Sequence, residues 1–159
     1  MINIRKVSVE DTEKLKDLLI SLVEEKPPVA LELEPLIMKG REWIASFPSR
    51  ESGFFIVAED EHKIIGFCYL AVPKFYNPVA YIGIVVAKEY RRKNIGSQMF
   101  YHVAEWASRH HLSYIIADVW WWNFKVIEFF EKLGFVEKER FKDEFKGKEE
   151  EKIRVVKKL

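Results

Sequence analysis

Val86-Ala87-Lys88-Glu89-Tyr90-Arg91-Arg92-Lys93-Asn94-Ile95-Gly96-Ser97 is the stretch on which the fold turns. Before it stands an apolar run, Ala80-Tyr81-Ile82-Gly83-Ile84-Val85-Val86-Ala87, with the character of a buried strand. After it, Met99, Phe100, Val103, Trp106, Ala107 and His110 recur on one side of a helix running from about Ser97 to His111. A strand, a basic loop and a helix start are the parts of a phosphate site. The first amides of a helix have no internal partners, and the helix dipole places partial positive charge there. Arg91, Arg92 and Lys93 add full charges beside them. The stretch implies a grip on a phosphorylated ligand; its bland alternative is a solvated basic turn.

Downstream, Tyr114 to Val119 reads as a strand. A helix of this length between two strands predicts a parallel crossover. Val126, Ile127, Phe130 and Leu133 form the next helical face, ended by Gly134 as a left-handed cap. Phe135 to Phe141 and Lys152 to Val156 are expected to pair antiparallel, with Lys146 to Lys152 as a charged turn. Upstream, Ile2 to Val7 is a short strand. Ser8 with Asp11 makes a capping box before a helix carrying Leu15, Leu18, Leu19, Leu22 and Val23. Pro27-Pro28 stops that helix. A shorter one is expected from about Pro35 to Ser46, with Leu36, Ile37 and Trp43 inward. Phe54 to Glu59 and Ile64 to Val72 read as a hairpin around Asp60-Glu61-His62-Lys63, and Pro73 to Pro78 as a loop.

The 159 residues fit one domain, 1–159, without repeat or linker. Basic and acidic side chains number 26 and 25, for a net charge of +1. That balance argues against a general polyanion binder, and so against a nucleic-acid partner. The longest apolar run is far short of a bilayer span, so no membrane partner is expected. The N-terminus lacks a signal-peptide core, and the single cysteine, Cys68, excludes an internal disulfide. Together these favour a cytoplasmic location. Lys and Glu abound while Gln occurs once, a bias reported for heat-adapted proteins, so a thermophilic source is expected.

The loop Arg91-Arg92-Lys93-Asn94-Ile95-Gly96 and the later Asn123-Phe124-Lys125-Val126-Ile127-Glu128-Phe129-Phe130-Glu131-Lys132-Leu133-Gly134-Phe135 together resemble the GNAT superfamily of acetyl-CoA-dependent N-acetyltransferases. The resemblance extends over nearly the whole chain. Asn94 stands where the family's loop has its first glycine, and Asn enters left-handed backbone geometry more readily than other non-glycine residues. The implied fold is α+β and acyl-CoA N-acyltransferase-like: a mixed, mainly antiparallel sheet of six to seven strands, one parallel pair, and about four flanking helices. The implied acetyl donor is acetyl-CoA. By resemblance, Ile84, Val85 and Val86 offer backbone groups to its pantetheine arm. The amides from Arg91 to Ser97, with Gly96 allowing close approach, hold the pyrophosphate, and Asn123 contacts the cofactor near the thioester.

The implied chemistry is direct attack of a primary amine on the thioester in a ternary complex. The amine, from a peptide N-terminus, a lysine or a small molecule, must be neutral. At pH 7 the neutral fraction is roughly 1 in 10 for an α-amine and roughly 1 in 2,500 for a lysine-like amine. An ε-amine therefore needs more help from a base. Asp118, five residues before Asn123, is the base candidate; its alternative is a strand-end Asp that caps a loop or pairs with a basic residue. The family's general acid, a Tyr, is here Phe130, which by resemblance lies at the cofactor site but has no proton to give. Tyr81 is the nearest substitute by strand position, and water is the alternative.

Cys68 reads as a buried thiol more readily than as an acyl carrier. The four histidines, 62, 102, 110 and 111, lack metal spacing, so no metal is expected. Trp120-Trp121-Trp122 cannot all enter one core. They imply one or two buried rings plus a cover for a neighbouring loop, an aromatic wall for the acceptor with Phe75 and Tyr76, or a subunit contact that makes a homodimer reasonable. Glu32 and Glu34 would suit a cationic acceptor, or are solvated flank charges. A non-catalytic acyl-CoA-binding or sensing module, and a nucleic-acid module stacking bases on the tryptophans, are the competing classes.

Overall fold

The computed structural model describes residues 1–25, 39–47, 53–74, 78–145 and 147–159. Glu32, Glu34, Leu36, Ile37, Phe75 and Tyr76 lie outside the described residues, as does the start of the second expected helix. Seven strands form one sheet: β1 (Ile2–Lys6), β2 (Gly53–Asp60), β3 (Lys63–Ala71), β4 (Val79–Val86), β5 (Tyr114–Trp120), β6 (Val136–Phe145) and β7 (Lys148–Lys158). Their order is β1-β2-β3-β4-β5-β7-β6. β4 and β5 run parallel, and every other neighbouring pair is antiparallel. Among the described residues the α-helices are α1 (Thr12–Val23), α2 (Arg41–Ala45), α3 (Ile95–Arg109) and α4 (Phe124–Lys132). This is the architecture expected from the sequence.

Strand alternation sorts the core into two layers. Phe55, Val57 and Phe67 are buried on the face shared with α1 and α2. There Trp43 of α2 meets the rings of Phe47, Phe55 and Tyr69 edge-on, with centroids 5.5, 5.6 and 5.2 Å away. The opposite face carries Ile56, Ala58, Cys68 and Leu70 under α3, whose Met99, Phe100 and Val103 are buried. Cys68 is fully buried, and burial pushes its thiol far above the ordinary range.

The N-terminal corner is fixed by the expected capping box. The Ser8 hydroxyl accepts from the Glu10 amide at 3.3 Å, and the Asp11 carboxylate accepts from the Ser8 amide at 2.7 Å. Arg5 donates to both Asp11 oxygens at 2.9 and 2.8 Å, and to Glu59 at 3.0 Å. The β2–β3 turn closes without glycine because Glu61 takes the left-handed conformation, φ 55°. Gly134 ends α4 at φ 94°, as expected of a left-handed cap.

The C-terminal hairpin departs from expectation. Residues 148–152, read as part of a charged turn, belong to β7, and β6 continues to Phe145. The strand run is masked in sequence because β6 is a solvated edge whose exposed faces carry charge in place of an apolar alternation. Cross-strand ion pairs hold it instead: Arg140 to Glu151 at 3.1 Å and Lys152 to Asp143 at 2.9 Å.

Candidate active site

β4 and β5 pair only from Val79↔Tyr114 to Tyr81↔Ile116. Beyond that point both strands keep their outer partners. β4 stays on β3 as far as Val86↔Gly66, and β5 stays on β7 as far as Trp120↔Lys152. The sheet therefore splits, and the β4 edge after Tyr81 has no strand beside it among the described residues. The direction of its groups follows from one bond. Ala87 donates its amide to Ile65 on β3 at 2.7 Å. In an antiparallel ladder alternate residues bond opposite sides, so Ile82, Ile84 and Val86 turn their amides toward the split, while Val85 faces β3. Of the three positions expected to bind an extended arm, Ile84 and Val86 have the right direction.

The basic loop leaves this edge and is tied down at three points. Tyr90 donates its hydroxyl to Asp60 at 2.7 Å. Arg91 donates Nε to the Val86 carbonyl at 2.9 Å, and its guanidinium grips Glu25, just past α1, at 2.9 and 2.6 Å. Lys93 lies over the Tyr90 ring, 5.5 Å from its centroid. The Arg91 side chain is thus a tether, and Arg92 and Lys93 are the exposed charges at the loop tip. Arg92 and Asn94 both have positive φ, 61° and 66°. Asn94 adopts the left-handed geometry that its place in the motif requires, and it caps α3 without a side-chain bond.

The first internal α3 bond runs from the Gln98 amide to the Asn94 carbonyl. The amides of Ile95, Gly96 and Ser97 therefore have no helical acceptor. A β-carbon at Gly96 would lie 3.2 and 3.3 Å from the Phe129 ring and 3.9 Å from Ile84. Gly96 thus lets α3, α4 and β4 meet at the mouth of the split. Backbone donors along β4, three uncapped amides and two exposed cations form one continuous donor track. An acyl-CoA fits it, having an amide-bearing arm and a diphosphate.

Asn123 caps α4, and its side-chain amide makes no hydrogen bond among the described residues. Phe130 is buried, with its ring 4.9 Å from Phe135 and 5.3 Å from Phe129, so it contributes packing. Trp120 is buried and Trp122 half-buried, their rings 5.0 and 5.6 Å from Phe145 at the hairpin tip. Trp121 is exposed and donates Nε1 to Glu150 at 2.9 Å. The three rings thus split into two on the hairpin and one outside, against Phe124 at 6.3 Å.

Asp118 and Tyr81 come together through a residue that the sequence did not single out. Arg154 on β7 donates to both Asp118 oxygens at 2.8 and 3.0 Å and to Glu139 at 3.0 Å. Its guanidinium carbon lies 5.7 Å from the Tyr81 ring centroid. The bonds from Asp118, against a smaller effect of burial, raise the Arg154 pKa further. With both carboxylate oxygens so engaged, Asp118 is placed to anchor Arg154. Replacing Asp118 by Asn should lower stability by about 1–3 kcal/mol, read as a melting point several degrees lower. Turnover should change less than about tenfold. A loss of 100-fold or more, the scale of a missing proton acceptor, would return Asp118 to the role of base.

Comparison with known proteins agrees with this layout. The acetyltransferase (GNAT) family model matches residues 16–135. Among solved structures, a GNAT-family acetyltransferase from Streptococcus pneumoniae superposes with TM-score 0.80 at 19% identity, covering 100% of both chains. The PaiA N-acetyltransferase of Thermoplasma acidophilum, solved in complex with coenzyme A, gives 0.78 at 21%, covering 100% of this chain and 99% of that one. A ribosomal-protein-alanine N-acetyltransferase from Brucella melitensis gives 0.75 at 18%, covering 99% of each. No curated protein matches significantly by sequence. With the family model spanning most of its length, the chain belongs to the GNAT family of acetyltransferases.

Proposed function

We propose that the protein transfers the acetyl group of acetyl-CoA to a primary amine by direct attack in a ternary complex. The observation that carries this reading is the split between β4 and β5, which opens a strand edge in line with the uncapped start of α3. Bound acetyl-CoA supplies an activated acyl group and a thiol leaving group. The amides of Ile82, Ile84 and Val86 hold the extended arm, and the amides of Ile95, Gly96 and Ser97, with Arg92 and Lys93, hold the diphosphate. Asn123 approaches the end of the arm from the α4 side. Trp120, Trp122 and the Tyr81–Arg154 stack border the other side, where the acceptor enters. Family membership and the coenzyme A complex of the PaiA neighbour support the choice of donor.

Asp118 is committed to Arg154, so the acceptor arrives neutral through its own titration. A protonated amine cannot attack, so the rate rises with pH and levels at the acceptor's own pKa. For an α-amine the plateau is expected near pH 8, and for a lysine-like amine near pH 10. Isothermal calorimetry with acetyl-CoA, followed by thiol release across peptide and small-amine panels at several pH values, checks both points. Binding without thiol release from any amine would favour the second reading, a non-catalytic acyl-CoA module. The buried, protonless Phe130 is the observation that favours that alternative.

A further inference from the structure

We infer that Tyr69 is the proton donor to the departing thiol, an inference that rests on the acetyl-transfer reading above. Tyr69 lies on β3, paired with Gly83 of β4, so both face the layer of α1 and α2. A side chain in a sheet ordinarily stands away from the strands. The Tyr69 ring instead leans over Gly83. A β-carbon at residue 83 would lie 2.3 and 2.4 Å from Cε1 and Cζ of the ring and 2.7 Å from its hydroxyl. The phenol end thus occupies the space where a side chain of β4 would begin, and it does so because residue 83 has none.

The ring is held in that pose. Trp43 meets it edge-on at 5.2 Å, and Phe55 stacks on it at 5.7 Å. Gly83 lies between Ile82 and Ile84, whose amides point into the split. The Tyr69 hydroxyl is therefore held over β4 at Gly83, two residues beyond the last β4–β5 pair, where the strand edge is open. Tyr81 differs on both counts. It sits where the strands are still joined, and its ring lies against Arg154. Phe130 has no proton and is buried. Among the described residues Tyr69 is the phenol that the fold places over β4 where the split begins.

The step balances without any further reactant. The amine lone pair forms the new C–N bond and the C–S bond breaks, leaving its electron pair on sulfur. The Tyr69 hydroxyl proton moves to that sulfur. The surplus proton on nitrogen passes to solvent, and solvent returns one to Tyr69.

Tyr69→Phe keeps the ring and removes only the hydroxyl. Expected are a folded variant with wild-type circular dichroism, an acetyl-CoA affinity within about twofold, and a fall in kcat on the order of 100-fold. With an α-amine acceptor, already neutral above about pH 9, wild-type kcat should fall again at the alkaline pH where the phenol ionises. That alkaline limb should vanish in Tyr69→Phe. Gly83→Ala, whose methyl must displace the ring, should reproduce the loss of kcat. Retention of kcat within about threefold by Tyr69→Phe, or a loss that leaves the alkaline limb in place, would overturn the inference. Wild-type protein that neither binds acetyl-CoA nor releases thiol would instead sink the functional reading and this inference with it.

Discussion

Gly96→Val is expected to weaken acetyl-CoA binding at least 100-fold while leaving the far-ultraviolet circular dichroism nearly unchanged. Even a single methyl at this position meets the Phe129 ring at 3.2 Å, and the branched side chain adds two more carbons beside Ile84. α3 and α4 must then separate at the mouth of the split. That shift moves the amides of Ile95 to Ser97 away from the line of the β4 edge. Three backbone donors acting together on a diphosphate tolerate little displacement, because charge-assisted hydrogen bonds depend on distance and angle. Overpacking costs about 1–3 kcal/mol of stability, which a sheet of seven strands survives. Titration calorimetry on the folded variant decides the matter. Affinity near that of wild type would mean that the anionic end of the donor lies elsewhere.

Asp11→Ala is expected to lower stability strongly, by about 3–5 kcal/mol. Asp11 is 4% exposed and ties Arg5, Ser8 and, through Arg5, Glu59 into one corner. Its loss leaves a guanidinium without the partner that it grips with two bonds. The effect carries a pH signature. Burial raises the Asp11 pKa, but the bonds from Arg5 and the Ser8 amide outweigh burial and hold it below the ordinary carboxylate value. A group depressed in the folded state stabilises fully above its unfolded pKa, about 3.9, and that stabilisation fades as pH falls through the folded value. The stability gap between wild type and variant, measured by denaturant titration, should therefore be widest at pH 7 and narrow below about pH 4. A gap that stays constant down to pH 2 would show that the carboxylate charge is not its source.

The central strand, the loop and α3 were legible because each announces itself locally. Ala80 to Ala87 is an unbroken apolar run, Asn94 is a residue that tolerates a positive φ, and Gly96 precedes a regular apolar stripe. What escaped depends on partners far away in the chain. Arg91 reads as an anion ligand from its neighbours, yet its guanidinium grips Glu25, 66 residues earlier. Asp118 reads as a base or as a strand-end Asp that caps a loop or pairs with a basic residue, and the sequence does not name that partner until β7 brings Arg154 opposite it. The lean of Tyr69 is not legible because it comes from an absent side chain at Gly83 on the next strand. The start of β7 is not legible because its first residues are charged, and the pairing that makes them a strand is visible only once β6 lies alongside.

The burial of Cys68 has a practical corollary. It is the chain's one sulfhydryl, sealed between β3 and α3 and held protonated by its surroundings. Chromogenic disulfide reagents that count thiolates will find none on the native enzyme. Their colour then reports coenzyme turnover alone, without an alkylated or cysteine-free variant as a blank. A slow colour change in the absence of substrate would conversely register the opening of the sheet's innermost layer.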